Sequence, residues 1–113
     1  MEILSSEFYK LFSGRIILVP EIEEKLLVKH KVYKEDLEDA LGDPYMVVVR
    51  SKRKQLNEKG KNYEIYAETE NGRVLFVVGT IFPDGNLYII TSYWANEKTE
   101  SFYYIESEVL RDD

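Results

Sequence analysis

His30 is the only histidine of the 113-residue chain, and no cysteine accompanies it. Those two counts remove much chemistry at once. A Cys/His nucleophilic pair cannot be assembled, a disulfide cannot form, and a metal site would have to be built from carboxylates alone. The acids are instead spread along polar stretches, and no Gly-rich phosphate loop is present, so neither a metal nor a cofactor is expected. The chemistry left open is metal-independent, of the kind in which a ribose 2′-hydroxyl attacks the neighbouring phosphorus. That reaction needs a base near the 2′-oxygen, cations around the phosphorane and an acid near the departing 5′-oxygen. His30 could act as base or acid. It would equally suit a packed position, or the C-terminal end of a helix, where the macrodipole favours a cation. Arg50, Lys52, Arg53, Lys54 and Arg73 are the candidate cations. Tyr63, Tyr66, Tyr93, Trp94 and Tyr103 could stack on bases, although aromatic side chains of a sheet also make core.

The charge is distributed unevenly. Arg50 to Lys61, RSKRKQLNEKGK, sets six cations against Glu58 alone, a net +5, whereas residues 1–49 carry −4 and residues 62–113 carry −7. One basic segment thus interrupts a chain of net charge −6. It reads either as a solvated loop or as a phosphate-contacting arm to which Lys59 and Lys61 would contribute. The acidic total argues against a general nucleic-acid coat.

The elements that would position these groups follow from periodicity and punctuation. Ser5 to Phe12 reads as a short helix ended by Gly14, and RIILV as a short apolar strand or an extended anchor. Pro20 and the acids after it suit a helix start, with Ile22, Leu26, Leu27 and His30 at helical spacing. A second helix follows KVY, with Leu37, Ala40 and Leu41 as its stripe, ended by Gly42 and Pro44. YMVVVR, NYEIYAET, VLFVVGTIF and LYIITSY then read as strands. Turns at Glu70-Asn71-Gly72-Arg73, where Asn-Gly supplies positive φ angles, and at Pro83-Asp84-Gly85-Asn86 separate the last three. Asn96 caps a C-terminal helix whose Phe102, Tyr103 and Ile105 are expected to pack on the sheet. The whole is one α+β domain over residues 1–113. An antiparallel meander of about four strands is expected, with helices covering one face. No apolar run is long enough for a signal peptide or a membrane span, so a soluble cytoplasmic protein is expected. The YMVVVR edge could pair between copies of the chain in a homo-oligomer.

Three phrases in order, EEKLLVKHKVYKEDLEDALGDPY, GKNYEIYAETENGRVLFVV and DGNLYIITSYWANEKTESFYY, resemble the BrnT-like toxins. These are RelE-like ribonucleases of type II toxin–antitoxin pairs. The resemblance covers about residues 20–105. His30 and Val32 match the family's Lys-His-Gly-Val phrase, with Lys31 at the glycine. Gly72 and Arg73 match its Gly-Arg hairpin, and Tyr103 its late tyrosine. Asn62 stands where many members have arginine, Tyr93 at the arginine of Ile-(Ser/Thr)-Ala-Arg, Thr99 at a glutamate and Glu100 at an arginine. The resemblance implies RNA cleavage with His30 as proton-transfer group. Lys52, Arg53 and Arg73 would stabilise the phosphorane, and Tyr93 would act as hydroxyl donor or stacking surface. Arg50, Lys54, Lys59, Lys61 and Tyr103 would contact RNA, and a small cognate antitoxin protein would be the partner. A member that has lost catalysis, serving as an interaction module or an RNA-binding domain, is the alternative.

Overall fold

Both tight turns form, and by the same device. In the computed structural model, which describes residues 2–52 and 59–112, the Thr69 carbonyl accepts from Gly72 N–H at 2.9 Å while Thr69 N–H donates to Arg73 O at 2.8 Å. The second turn repeats this pattern from Phe82 to Asn86. Only the glycine of each pair has a positive φ, +84° at Gly72 and +85° at Gly85. These are three-residue hairpin loops closed by a glycine, not the two-residue turns that require positive φ at both central residues.

The hairpins connect β3 (Lys61–Glu68), β4 (Val74–Ile81) and β5 (Leu87–Trp94), and β2 (Val47–Arg50) adds antiparallel to β3. The expected purely antiparallel sheet of four strands needs one correction. Ile16–Ile17 forms a short β1 that pairs parallel with Leu87 and Tyr88, giving a five-stranded mixed sheet of order β1-β5-β4-β3-β2. β1 thus lies at the edge of the sheet, beside β5.

The helices are α1 (Ser5–Leu11), α2 (Pro20–Lys25, continued by a π-helical turn over Leu26–His30), α3 (Lys34–Ala40) and α4 (Glu97–Arg111). Asn96 Oδ1 accepts from Thr99 N–H at 2.9 Å, as its capping role requires. Side chains alternate between the two faces of a strand, and this divides the core. Phe8, Leu26, Leu37, Val48, Ile65, Leu75, Val77 and Leu87 form one buried cluster with α1 to α3 on the first face. Val47, Val74 and Tyr103 form a smaller one on the second face, under α4. Helices therefore lie on both faces, where one covered face was expected.

Three further expectations are corrected. Ile105 is 66% exposed and does not pack on the sheet, because Tyr103 and Ser107 take the inward side of α4. Leu27 is exposed because it follows buried Leu26 in the π-helical turn and faces a different side of it. The β2 edge is not free for pairing along YMVVVR. Leu4 N–H donates to Val48 O, Val48 N–H donates to Ser5 Oγ, and Ser5 Oγ donates to Met46 O.

One irregularity decides which side chains share a face. Val78 pairs with Thr91, but Gly79 pairs with Ile89, so Ile90 is an extra residue in β5. Such a bulge reverses the side-chain parity beyond it. Ile89 points to the first face, and simple alternation would send Tyr93 there too. With the bulge Tyr93 joins Phe76 on the second face, and Trp94 joins the first-face core.

Candidate functional site

The end of β5 gathers three of the proposed catalytic residues. The π-helical turn brings His30 to the strand, with its imidazole 5.8 Å from the Tyr93 ring between centroids. Lys31, immediately after, has φ +55° and ψ 37°, and its N–H and that of Val32 both bond to Leu26 O. This left-handed residue reverses the chain so that the Lys31 carbonyl accepts from Trp94 Nε1 at 3.2 Å. Arg73, carried by the β3–β4 hairpin, lays its guanidinium 3.7 Å from the Trp94 ring centroid, a close cation–π contact. His30 with Tyr93, and Arg73 with Trp94, thus meet consecutive residues at the end of one strand.

From Tyr93 a row of rings crosses the second face. Tyr93 meets Phe76 at 4.9 Å, Phe76 meets Tyr66 at 5.1 Å, and Tyr66 meets Phe102 of α4 at 4.7 Å. The row follows the register Tyr93–Phe76–Tyr66–Val47 across β5, β4, β3 and β2. Burial, with Glu64 and Tyr93 nearby, raises the Tyr66 phenol above its ordinary value. Tyr93 is 38% exposed, which leaves its ring accessible at the rim.

The remaining cations lie elsewhere. Arg50 and Lys61 are at the β2–β3 end of the sheet, where both pair with Glu7, at 3.4 and 3.8 Å. Arg50 also sits 5.1 Å from the Tyr63 ring centroid. The Tyr63 hydroxyl donates to the same carboxylate at 2.9 Å, and burial together with Glu7 pushes its pKa up to about 12. Lys52 and Lys59 are exposed beside these strands. Arg53 and Lys54 lie outside the described residues. Since β2 and β5 are three strand spacings apart, about 14 Å, the structure does not bring Lys52 to the His30 corner.

Tyr103 is corrected from an RNA contact to a structural residue. It is fully buried, and its hydroxyl donates to Asp43 Oδ2 at 2.6 Å. Burial and the adjacent Asp43 raise its pKa strongly. Asp43 is a hub missed at the sequence level. Its carboxylate also accepts from Glu68 N–H at 2.9 Å and Tyr45 N–H at 2.8 Å, and its carbonyl accepts from Tyr9. The Gly-Asp-Pro context was the available signal, since an Asx turn before a proline is a local feature. Glu7 was missed as well, and nothing in its spacing points to Arg50 and Lys61.

Among the described residues no group of three or more acids or histidines could hold a metal ion, and no helix is long and apolar enough to cross a membrane. Neither the models of known protein families nor the curated protein sequences contain a match to this chain.

Proposed function

We infer that this chain is a BrnT-like, RelE-type toxin-fold protein that cleaves RNA by 2′-hydroxyl attack at the end of β5 and is held by a small cognate antitoxin. The observation that carries the reading is at Lys31. The resemblance places this residue at the glycine of Lys-His-Gly-Val, and it has a left-handed backbone, the conformation that favours glycine. Sequence phrase and backbone geometry agree on a position where a lysine is otherwise unexpected. The residue before it, His30, is in ring contact with Tyr93, 63 positions later and at the place of the family's arginine.

In this reading the scissile phosphate lies across the end of β5. His30 transfers the proton, the Tyr93 hydroxyl donates to a phosphoryl oxygen in place of the arginine, and Arg73 supplies the positive charge from its seat on Trp94. Purified protein is expected to cleave single-stranded RNA without added metal. His30→Ala and Arg73→Ala should each lower the rate, the latter by about 2–4 kcal/mol of activation free energy. Absence of cleavage by the wild type, or equal rates in wild type and both variants, would remove the assignment.

A second reading, a non-catalytic interaction module, is favoured by one observation. Arg50 and Lys61 are already partnered by Glu7, which leaves less positive charge for a phosphate. That reading predicts capture of a small co-encoded protein without growth arrest on expression.

A further inference from the structure

We propose that the outward face of α4 is a docking surface for a basic amphipathic segment of a partner protein. The helix buries Tyr103 and Ser107 and leaves Ile105 and Val109 66% and 63% exposed. At about 100° per residue these two lie together on the side away from Tyr103 and Ser107, with Phe102 next to them. Phe102 is half-buried against Tyr66, so the apolar strip continues from the helix onto the ring row of the second sheet face. Glu106 and Glu108 border the strip on its two sides. Beyond Glu108 a surface cavity of about 480 Å³ opens, with Glu68, Tyr104 and Arg111 in its wall.

Charge decides the occupant. On α4 itself Glu97, Glu100, Glu106 and Glu108 outnumber Lys98 and Arg111, a net −2 over residues 97–111, and the two glutamates that border the strip favour a cationic partner over a nucleic acid. A second copy would bring to the strip one cation, Lys98, which lies in line with Ile105 at the start of the helix, against two further glutamates, Glu106 and Glu108. A helix with apolar side chains one turn apart and lysines or arginines beside them satisfies both features: its apolar side chains cover Ile105 and Val109 and its cations meet the two glutamates. The reading above supplies such a protein partner, and docking does not require RNA cleavage.

The test is calorimetric titration of the full chain, and of its His30→Ala variant, with two synthetic helical peptides of equal leucine spacing. One carries lysines beside the leucines and the other glutamates. The lysine peptide is expected to bind both proteins about tenfold or more tighter than the glutamate peptide. Ile105→Asp or Val109→Asp should weaken it by about tenfold or more, with an unchanged urea midpoint because both side chains already face solvent. Glu106→Lys combined with Glu108→Lys should reverse the preference. Equal binding of the two peptides, or undiminished binding to Ile105→Asp, would overturn the proposal. So would a concentration-dependent dimer, detected by sedimentation and abolished by Ile105→Asp, which would assign the surface to a second copy. Peptide binding without RNA cleavage sinks the ribonuclease reading and leaves the docking surface in place; cleavage without peptide binding does the reverse.

Discussion

The two faces of the sheet are held by different physics. On the first, α1, α2 and α3 close over a continuous apolar cluster in which Phe8, Leu37, Ile65, Leu75 and Val77 are all fully buried. On the second, among the described residues, α4 rests on a smaller cluster, Val47, Val74 and Tyr103, with Ile3, Tyr66, Ala95, Phe102 and Leu110 partly buried against it. The deficit is made up by polar contacts. Tyr103 donates to Asp43 at 2.6 Å, Tyr104 donates to Glu68 at 2.6 Å, and Arg111 reaches Glu68 at 3.8 Å and the Tyr45 ring at 4.6 Å. Apolar burial is nondirectional and nearly indifferent to pH, whereas a hydrogen-bonded hub depends on the protonation of its members. The first face therefore behaves as the stability of the domain, and the second as a separately adjustable attachment of α4.

Substitutions can break this contrast. The largest effect is expected from Ile65→Ala, which opens a cavity in the first-face core. A loss of about 4 kcal/mol in unfolding free energy, measured by urea titration, should appear with uniform loss of amide protection. Asp43→Ala removes the acceptor of the Tyr103 hydroxyl and of Glu68 N–H in a buried place, and a loss of about 3 kcal/mol is expected. Hydrogen exchange should then accelerate in α4 before β4. Equal acceleration in both would show that the faces are not separable.

Alkaline pH gives a smaller, graded effect. The Tyr63 and Tyr103 phenols are held above their unfolded value of 10.0. Their contribution is therefore complete below pH 10. As pH rises, the unfolded chain loses these protons first, binds fewer than the folded chain, and stability falls. For Tyr63 the fall runs from about pH 10 to about 12. A urea midpoint lower at pH 11 than at pH 8, with a shallower drop in Tyr103→Phe, is the expected result.

Lys31→Gly should stabilise by about 1 kcal/mol, through relief of left-handed strain. An unchanged midpoint would weaken the match to the family phrase. Smallest of all, Lys61→Ala should cost below about 0.5 kcal/mol, since its pair with Glu7 is half-exposed at 3.8 Å.

Much of the architecture was legible because its signals are local. Asn71-Gly72 and Asp84-Gly85 place two hairpins, Asn96 starts α4, and Pro20 opens α2, each through a backbone requirement of a few residues. The parallel β1 was not legible, because it pairs with residues some 70 positions later in the chain. The outward direction of Ile105 was not legible either. Phe102, Tyr103 and Ile105 span a wide arc of the helix, and long-range contacts, Tyr103 with Asp43 and with Val47 and Val74, mark the part of that arc that turns inward. The candidate site was legible in its members His30, Arg73 and Tyr93 but not in its extent. The cations near Arg50 fall to the far side of the sheet, and Glu7 claims two of them.

The sequence by itself determined an α+β domain with two glycine-closed hairpins, one histidine and a basic segment in an acidic chain. The tertiary structure alone decided that His30 meets Tyr93. A strand's side chains alternate with a period of two, so the single extra residue at Ile90 sends Tyr93 to one face and Trp94 to the other. That parity follows from pairing between β4 and β5, an interaction between segments that no local propensity records.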